Sequence, residues 1–341
     1  MSVVLLNFNG LRFTRLWESF FRETYPHREV LFVDNGSTDG SGEAFRRLAE
    51  RYAPQDFRVV RLEQNVGYSE GNNIGVREAR GEVVAVVNND IEVSEHWIAP
   101  VVQAFASDPK LGVVQSRLMS LQNRDQEDRV WNRIDAWGFS HSAPAPSAEL
   151  ETVFYAEGAA MFVRRELLDD LGSFYPSEFY MLGEDADLCW RARMRGWSVG
   201  VLSTSRAWHA RGGTEMGSVT KRNPRVLRAV TRNRLAMLFT NYGRPRQLVF
   251  VPGSMALAVV RGALLWRRRD RTHARAVFAG LRDFLRDLPV LSERRRRVQG
   301  RRTVPDDVVV PFMMGPIEGL QSLRGLWSES LQGGGGDPRA T

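Results

Sequence analysis

Short unbroken apolar runs alternate with stretches of helical apolar spacing through the first half of the chain. Residues 3–6, 30–33, 58–62, 83–87 and 113–116 read as strands, and residues 11–23, 42–51, 72–79 and 97–106 between them as helices. Continuous apolar strands between amphipathic helices predict an α/β fold whose mostly parallel sheet is covered by helices on both faces. From Gln122 to Leu150 the pattern fails, in a polar, Ala/Ser-rich stretch holding Pro144 and Pro146. It reads as a flexible loop, a candidate lid over a site. Regular structure resumes with residues 153–163, a helix over 165–171, a helix over about 185–195 and a strand over 198–202.

After Gly212-Gly213 the character changes. Residues 226–239 and 274–288 read as amphipathic helices; in the second, Val277, Leu281, Phe284, Leu285 and Leu288 share a face. Residues 248–266 between them are apolar apart from Ser254 and Arg261, are interrupted at Pro252-Gly253, and are flanked by Arg244, Arg246 and Arg267-Arg268-Arg269. That run is too short and interrupted for a membrane span and suits a helix lying in a membrane interface. The expected plan is therefore an α/β body over residues 1–220, a basic, amphipathic helical extension over 221–332, and a disordered tail over 333–341 that holds four successive glycines.

Charge sharpens this division. Of 47 basic and 40 acidic side chains, the first 220 residues hold about 23 and 31, and the remainder about 24 and 9. The extension accordingly reads either as a packing appendage or as an anchor to an anionic membrane surface. No zinc-finger, helix-turn-helix or aromatic RNA-binding signature accompanies the arginines, so nucleic acid is not an expected partner. Cys189 is the single cysteine, which excludes an internal disulfide and a thiolate metal cluster. No basic segment followed by a long apolar run precedes the first strand, and the expected location is cytoplasmic.

Polar clusters fall where parallel strands end, the edge at which α/β sheets bind ligands. Asn7 and Asn9 follow the first strand, Asp34 the second, and Asn88-Asn89-Asp90 the strand at 83–87. Each cluster taken singly is also good turn chemistry. Asp90 offers a hard carboxylate of the kind Mg2+ or Mn2+ prefers. Glu184, Asp185 and Asp187 put three carboxylates at a helix start, either as a general base or as acidic residues favoured there by the helix dipole. His209, beyond the strand at 198–202, is a metal ligand or a structural histidine.

The chain resembles the family 2 glycosyltransferases of the GT-A fold, in their bacterial rhamnosyltransferase-like branch. The resemblance lies in 4–10 (VLLNFNG), 33–41 (VDNGSTDGS), 65–75 (NVGYSEGNNIG), 88–90 (NND), 157–161 (EGAAM), 184–191 (EDADLCWR) and 208–214 (WHARGGT), in that order, and fades after about residue 240. It implies a nucleotide-diphospho-sugar donor, a divalent metal (Mn2+ or Mg2+), and transfer with inversion to a hydroxyl of a glycan or polyprenyl-linked acceptor, as in cell-envelope polysaccharide synthesis. It places Asp34 on the base or ribose, with Asn7 and Asn9 in the same pocket. Gly67, Asn73 and Asn89 fall on the nucleotide or sugar, and Asp90 and His209 on the metal. Asp185 becomes the general base with Glu184 as second choice, Gly158, Trp190 and Arg191 lie toward the acceptor, and Asp187 orients the helix or pairs with Arg191.

Two departures qualify the match. Asn88 occupies the first acidic position of the family's DxD motif, leaving Asp90 as the carboxylate there. The Q-x-x-R-W signature of processive members is absent, so addition of one or a few sugars is expected. Two other readings remain: a sugar nucleotidyltransferase, which wants a Gly-rich basic loop where residues 7–12 match poorly, and an inactive binding protein on the same fold.

Overall fold

The computed structural model of the chain describes all residues except 53–55, 129–131, 143, 212–222 and 323–341. Its elements begin β1 (Ser2–Asn7), α1 (Thr14–Arg22), β2 (Glu29–Asp34), α2 (Ser41–Tyr52), β3 (Phe57–Arg61), α3 (Tyr68–Glu78), β4 (Val83–Asn88), β5 (Ile91–Val93), α4 (Ala99–Ser107) and β6 (Leu111–Ser120). They continue with β7 (Arg133–Ile134), β8 (Ser140–His141), β9 (Leu150–Thr152), β10 (Ala160–Arg164), α5 (Arg165–Leu171), α6 (Glu184–Met194) and β11 (Ser198–His209). The C-terminal helices are α7 (Pro224–Asn241), α8 (Arg244–Arg267), α9 (Arg271–Arg286), α10 (Leu288–Gly300) and the short α11 (Asp306–Val309).

The main sheet runs β3-β2-β1-β4-β10-β6-β11-β5, with β9 on β11. β1 to β4 form the expected parallel half. The other half is mixed: β10 is antiparallel to both β4 and β6, while β6 and β11 pair in parallel. The chain crosses from β6 to β10 through the long 121–159 connection and enters the sheet between its two halves from the opposite direction.

All six residues of β1 are buried, as a strand covered on both faces requires. Val3 and Leu5 face one core with Trp17, Phe20, Phe32, Phe45 and Trp97 beneath α1, α2 and α4. Val4 and Leu6 face the other, with Leu188 of α6 and Leu235, Val277, Phe284 and Leu291 of the C-terminal helices. The basic extension thus shares a core with the sheet. On this face α3 lies directly on the strands, since a Cβ on Gly75 would come within 2.2 Å of Val4. That close approach carries Tyr68, at the start of α3, to the strand ends.

A buried polar network joins α6 to the extension. The Asp187 carboxylate, fully buried, accepts from Arg191 Nε (2.7 Å), Arg294 (2.5 Å) and Asn241 Nδ2 (2.9 Å). From α7, Asn233 donates to the carbonyls of Met181 and Leu182 (2.9 and 2.8 Å), and Arg232 to that of Glu178 (3.0 Å). These contacts pin the loop leading into α6.

Two expectations change and one helix is new. The 122–150 stretch carries the β7–β8 hairpin and buried Asn132, Asp135 and His141 rather than a lid. Pro252 does not break the apolar run: α8 continues through it for 24 residues. α10, an arginine-rich helix that hydropathy alone does not mark, is held by Arg294 and by Leu291 in the core. The glycine-rich tail lies outside the described residues.

Candidate active site

Because β1 pairs in parallel with both β2 and β4, their carboxyl ends meet at one edge, with Asn7 beside Asp34 and Leu6 beside Asn88. Side-chain amides tie the departing loops together. Asn7 Nδ2 donates to Ser37 Oγ (3.1 Å) and Ser41 Oγ (2.8 Å), and Asn7 Oδ1 accepts from Asn89 Nδ2 (2.8 Å). Asn9, in the left-handed region at φ 49°, accepts the Thr38 N–H at 2.9 Å. Asp34 is buried and accepts the Ser37 N–H at 3.1 Å; a Cβ on Gly42 would lie 2.6 Å from its other oxygen. Asn35 bridges to Asn65 Oδ1 and the Gly67 carbonyl, both at 3.1 Å.

A second group gathers at the start of α6. Asp185 Oδ2 accepts the Gly158 N–H at 2.9 Å, and the Tyr175 hydroxyl donates to Oδ1. The Tyr68 hydroxyl lies 3.0 Å from Asn88 Oδ1 and 3.1 Å from the Gly158 carbonyl. A Cβ at Gly158 would meet Asp185, Tyr175 and Tyr68 at 2.6, 2.7 and 2.7 Å, so this position has no room for a side chain. Burial raises the pKa of Asp185, and the bonds from Tyr175 and Gly158 hold the rise to about 6. Glu184 is pushed well above the carboxylate range, by burial first and then by Asp185, and its Oε2 has no hydrogen-bond partner among the described residues. Of the two neighbours, Asp185 is the one whose carboxylate is met by hydrogen-bond donors on both oxygens.

The third group is His209 and two carboxylates. His209 Nε2 lies 3.4 Å from Asp90 Oδ1 and Nδ1 lies 3.0 Å from Asp128 Oδ2, while Arg211 pairs with the other Asp128 oxygen. Burial acts to lower the imidazole pKa, and the bonds and charges of Asp128 and Asp90 outweigh it, bringing it to about 9. No group of three or more His, Cys, Asp and Glu side chains among the described residues is placed to hold a metal by itself. The donor set still suits a metal shared with a phosphate-bearing ligand, a cation there taking the place of the proton on His209 Nε2. Imidazole and carboxylate face each other, and the rear nitrogen is oriented by a carboxylate, the usual outer-shell arrangement of a metal-bound histidine.

Residues 2–172 match the family model of Glycosyl transferase family 2, half of the chain. The chain belongs to glycosyl transferase family 2. Among curated family relatives, it is 28% identical over 208 residues to the O-antigen biosynthesis protein RfbC of Myxococcus xanthus, covering 57% of this chain and 16% of RfbC. It is 24% identical over 223 residues to the low-salt glycan biosynthesis hexosyltransferase Agl10 of Haloferax volcanii, covering 61% of this chain and 66% of Agl10. It spans only 20%, 16% and 52% of the first three curated relatives it matches. Two solved structures share the fold. The Pyrobaculum calidifontis mannosyltransferase PcManGT, in complex with GDP-Man and Mn2+, gives a TM-score of 0.54 at 20% identity over 84% of this chain and 87% of that one. Staphylococcus aureus TarS 1–349 with UDP-GlcNAc gives 0.57 at 17% identity over 88% of each. The family 2 fold is thus the GT-A arrangement that the resemblance implied.

Several residues assigned from the family motifs sit elsewhere than expected. Trp190 is completely buried, its ring packed against Phe154 and Tyr242, and presents no surface to an acceptor. Arg191 is also buried, spent on Asp187 and on the carbonyls of Ser173 and Phe174. Their positions on α6 turn them inward, while Asp185 faces Gly158. Asn73 uses its amide on the backbone of Tyr175 (2.9 and 3.1 Å), so it positions that tyrosine instead of facing a donor. Asn7 is likewise committed to the loops around it. Gly67, at φ 95°, packs under the Tyr180 ring, 2.6 Å from where its Cβ would stand. Tyr68, Tyr175, Asp128 and Gln115 also belong to the site, beyond the residues expected from the motifs. Gln115 Oε1 accepts the Glu157 N–H at 2.7 Å and so sets the turn carrying Gly158.

Proposed function

We propose that the chain is an inverting, non-processive glycosyltransferase that moves a sugar from a nucleoside diphosphate to an acceptor hydroxyl. The observation that carries this is the Asp185 carboxylate, held by the Tyr175 hydroxyl and the Gly158 N–H at the sheet edge where Asp34 and Asn88–Asp90 converge. The acceptor oxygen attacks the anomeric carbon as the bond from that carbon to the diphosphate oxygen breaks. The hydroxyl proton passes to Asp185, whose pKa of about 6 leaves it ionised to receive it near neutrality. The buried Asp34 borders the nucleotide pocket, with Asn9 and Asn89 at its rim and Asn7 holding its floor. Tyr68, Asn88 and Gly158 fix the spacing between the donor side and the base.

Asp90 and His209 would hold a divalent cation together with the donor's phosphates, and Asp128 would orient His209. When bound, Mn2+ or Mg2+ supplies Lewis-acid stabilisation of the departing diphosphate. PcManGT, in complex with GDP-Man and Mn2+, supports this choice of partners. The finer reading follows the motifs: a donor such as dTDP-rhamnose or a UDP-sugar, an acceptor hydroxyl on a glycan or polyprenyl-linked glycan, and work at the cytoplasmic face of the membrane in envelope polysaccharide synthesis.

A thermal-shift panel of UDP-, dTDP- and GDP-sugars, with and without Mn2+, tests the donor site. A ligand at about 100 times its dissociation constant adds about 2.7 kcal/mol. Metal-dependent stabilisation by one nucleotide class is expected; a folded sample that none of them stabilises would overturn the reading.

A further inference from the structure

α8 is built the wrong way round for a helix of a water-soluble surface. Its buried positions are small or few: Val251, Ser254, Ala258 and Gly262. Its exposed positions include Leu248 at 66%, Val249 at 59%, Val259 at 49%, Val260 at 47% and Trp266 at 48% relative exposure. With Pro252, Ala256 and Ala263, also exposed, these recur at intervals of three and four and form one stripe along the helix. Only 22% of its most apolar window is buried. Contiguous exposed apolar area of this kind marks an interaction surface.

We infer that this stripe is a membrane-docking face, embedded in the headgroup and upper acyl region of an anionic bilayer. Charge selects the occupant. α8 contains no Asp or Glu, and exposed arginines close both of its ends: Arg244 at one, Arg267, Arg268 and Arg269 at the other. The adjoining turn of α9 adds exposed Arg271 and Arg275. Arg246, at the first end, is paired with Asp307. A second copy of the chain laid on the stripe, parallel or antiparallel, would bring arginine clusters against arginine clusters with no α8 carboxylate between them. Anionic headgroups neutralise both ends at once, and Trp266 beside the arginine cluster is the aromatic expected at a bilayer boundary.

The helix lies along the surface; it does not cross it. At 24 residues α8 is about 36 Å long, enough to span. Its inner side, however, is locked to the body. Ser254 Oγ donates to the Trp137 carbonyl at 3.0 Å, a Cβ on Gly253 would be 2.4 Å from the Trp137 ring, and one on Gly262 would be 2.7 Å from Phe278. A crossing would drag α9 and its arginines into hydrocarbon. Docking by one face leaves the body on the aqueous side, where it reaches an acceptor presented from the bilayer. This deepens the acceptor side of the proposed transfer and rests on it only for its purpose, because lipid binding is read without any sugar.

The test is cosedimentation of the full chain with vesicles of phosphatidylglycerol and phosphatidylcholine in equal parts, against pure phosphatidylcholine. Strong binding to the anionic vesicles, weakened by salt, is expected. The double variant Val249→Asp, Val260→Asp alters two exposed side chains only; it should lose at least about tenfold in partitioning while keeping its melting temperature and its affinity for nucleotide. Wild-type chain that stays in the supernatant, or a variant that binds as the wild type does, would overturn the proposal. So would concentration-dependent dimerisation in vesicle-free buffer that the same variant abolishes, since the stripe would then belong to a second copy. Loss of donor binding with retained vesicle binding would strike the transfer reading alone.

Discussion

Replacing Tyr175 by phenylalanine separates the electrostatics of Asp185 from its position. The Tyr175 hydroxyl donates to Asp185 Oδ1, whereas the ring is held by Phe174, at 3.9 Å between centroids, and by Tyr68, at 6.1 Å. Phenylalanine keeps the ring and removes only the donor. Hydrogen bonds to charged groups contribute about 1.5–3 kcal/mol, and 1.36 kcal/mol is one pKa unit. Losing one donor should therefore raise the carboxyl from about 6 by about one unit. The acid limb of kcat/KM against pH, which reports the free enzyme, should move up with it. At pH 6 the ionised fraction would fall from about a half to about a tenth, a roughly fivefold loss, while at pH 8 the loss stays under about twofold. The assay is nucleoside diphosphate release across pH 5 to 9. A uniform loss at every pH with the midpoint unmoved would refute the reasoning, because it would make Tyr175 a packing residue with no hold on the charge of Asp185.

Three further outcomes follow from the same contacts. Because the folded-state pKa of Asp185 lies above its unfolded value, the native state binds more protons between about pH 4 and 6 and loses stability as pH rises through that window. Asp185→Asn should consequently melt a few degrees above wild type at pH 8, from a gain on the order of 3 kcal/mol, and near wild type at pH 4; an unchanged or lower melting temperature at pH 8 would contradict the burial argument. Asp187→Ala leaves Arg191 and Arg294 buried without their shared carboxylate and should cost about 3–5 kcal/mol in urea unfolding, whereas a loss below about 1 kcal/mol would show the network to be dispensable. Asp128→Ala removes the partner of His209 Nδ1 and should weaken Mn2+-dependent nucleotide affinity about 10–100-fold by calorimetry, with metal-free affinity unaffected; equal affinities in both states would remove Asp128 and His209 from the metal site.

The parallel half of the sheet was readable because each strand there is apolar on both faces and ends in a polar cluster. Residues 30–33 and 83–87 fall inside the observed β2 and β4. The antiparallel entry of β10 was not readable, since direction is decided by the long β6–β10 connection and not by the apolar run itself. Within the site, Asp185 and Asp90 stood out as carboxylates at element boundaries. Tyr175 and Asp128 gave no local signal, because their importance lies in contacts across 10 and 81 positions of sequence. Trp190 and Arg191 share a motif with Asp185, and only the turn of α6 reveals that they point into the core. Pro252 read as an interruption, but it sits on the exposed side of α8, where the helix tolerates it.

The most direct measurement is anomeric proton NMR of the product formed from the nucleotide-sugar identified by thermal shift, with Mn2+ and a pool of acceptor glycans, for wild type and Asp185→Asn side by side. The account predicts inverted configuration at the anomeric carbon with wild type, and at least about a hundredfold less product with the variant, whose nucleotide affinity is intact. Retained configuration, or wild-type turnover in Asp185→Asn, would contradict it.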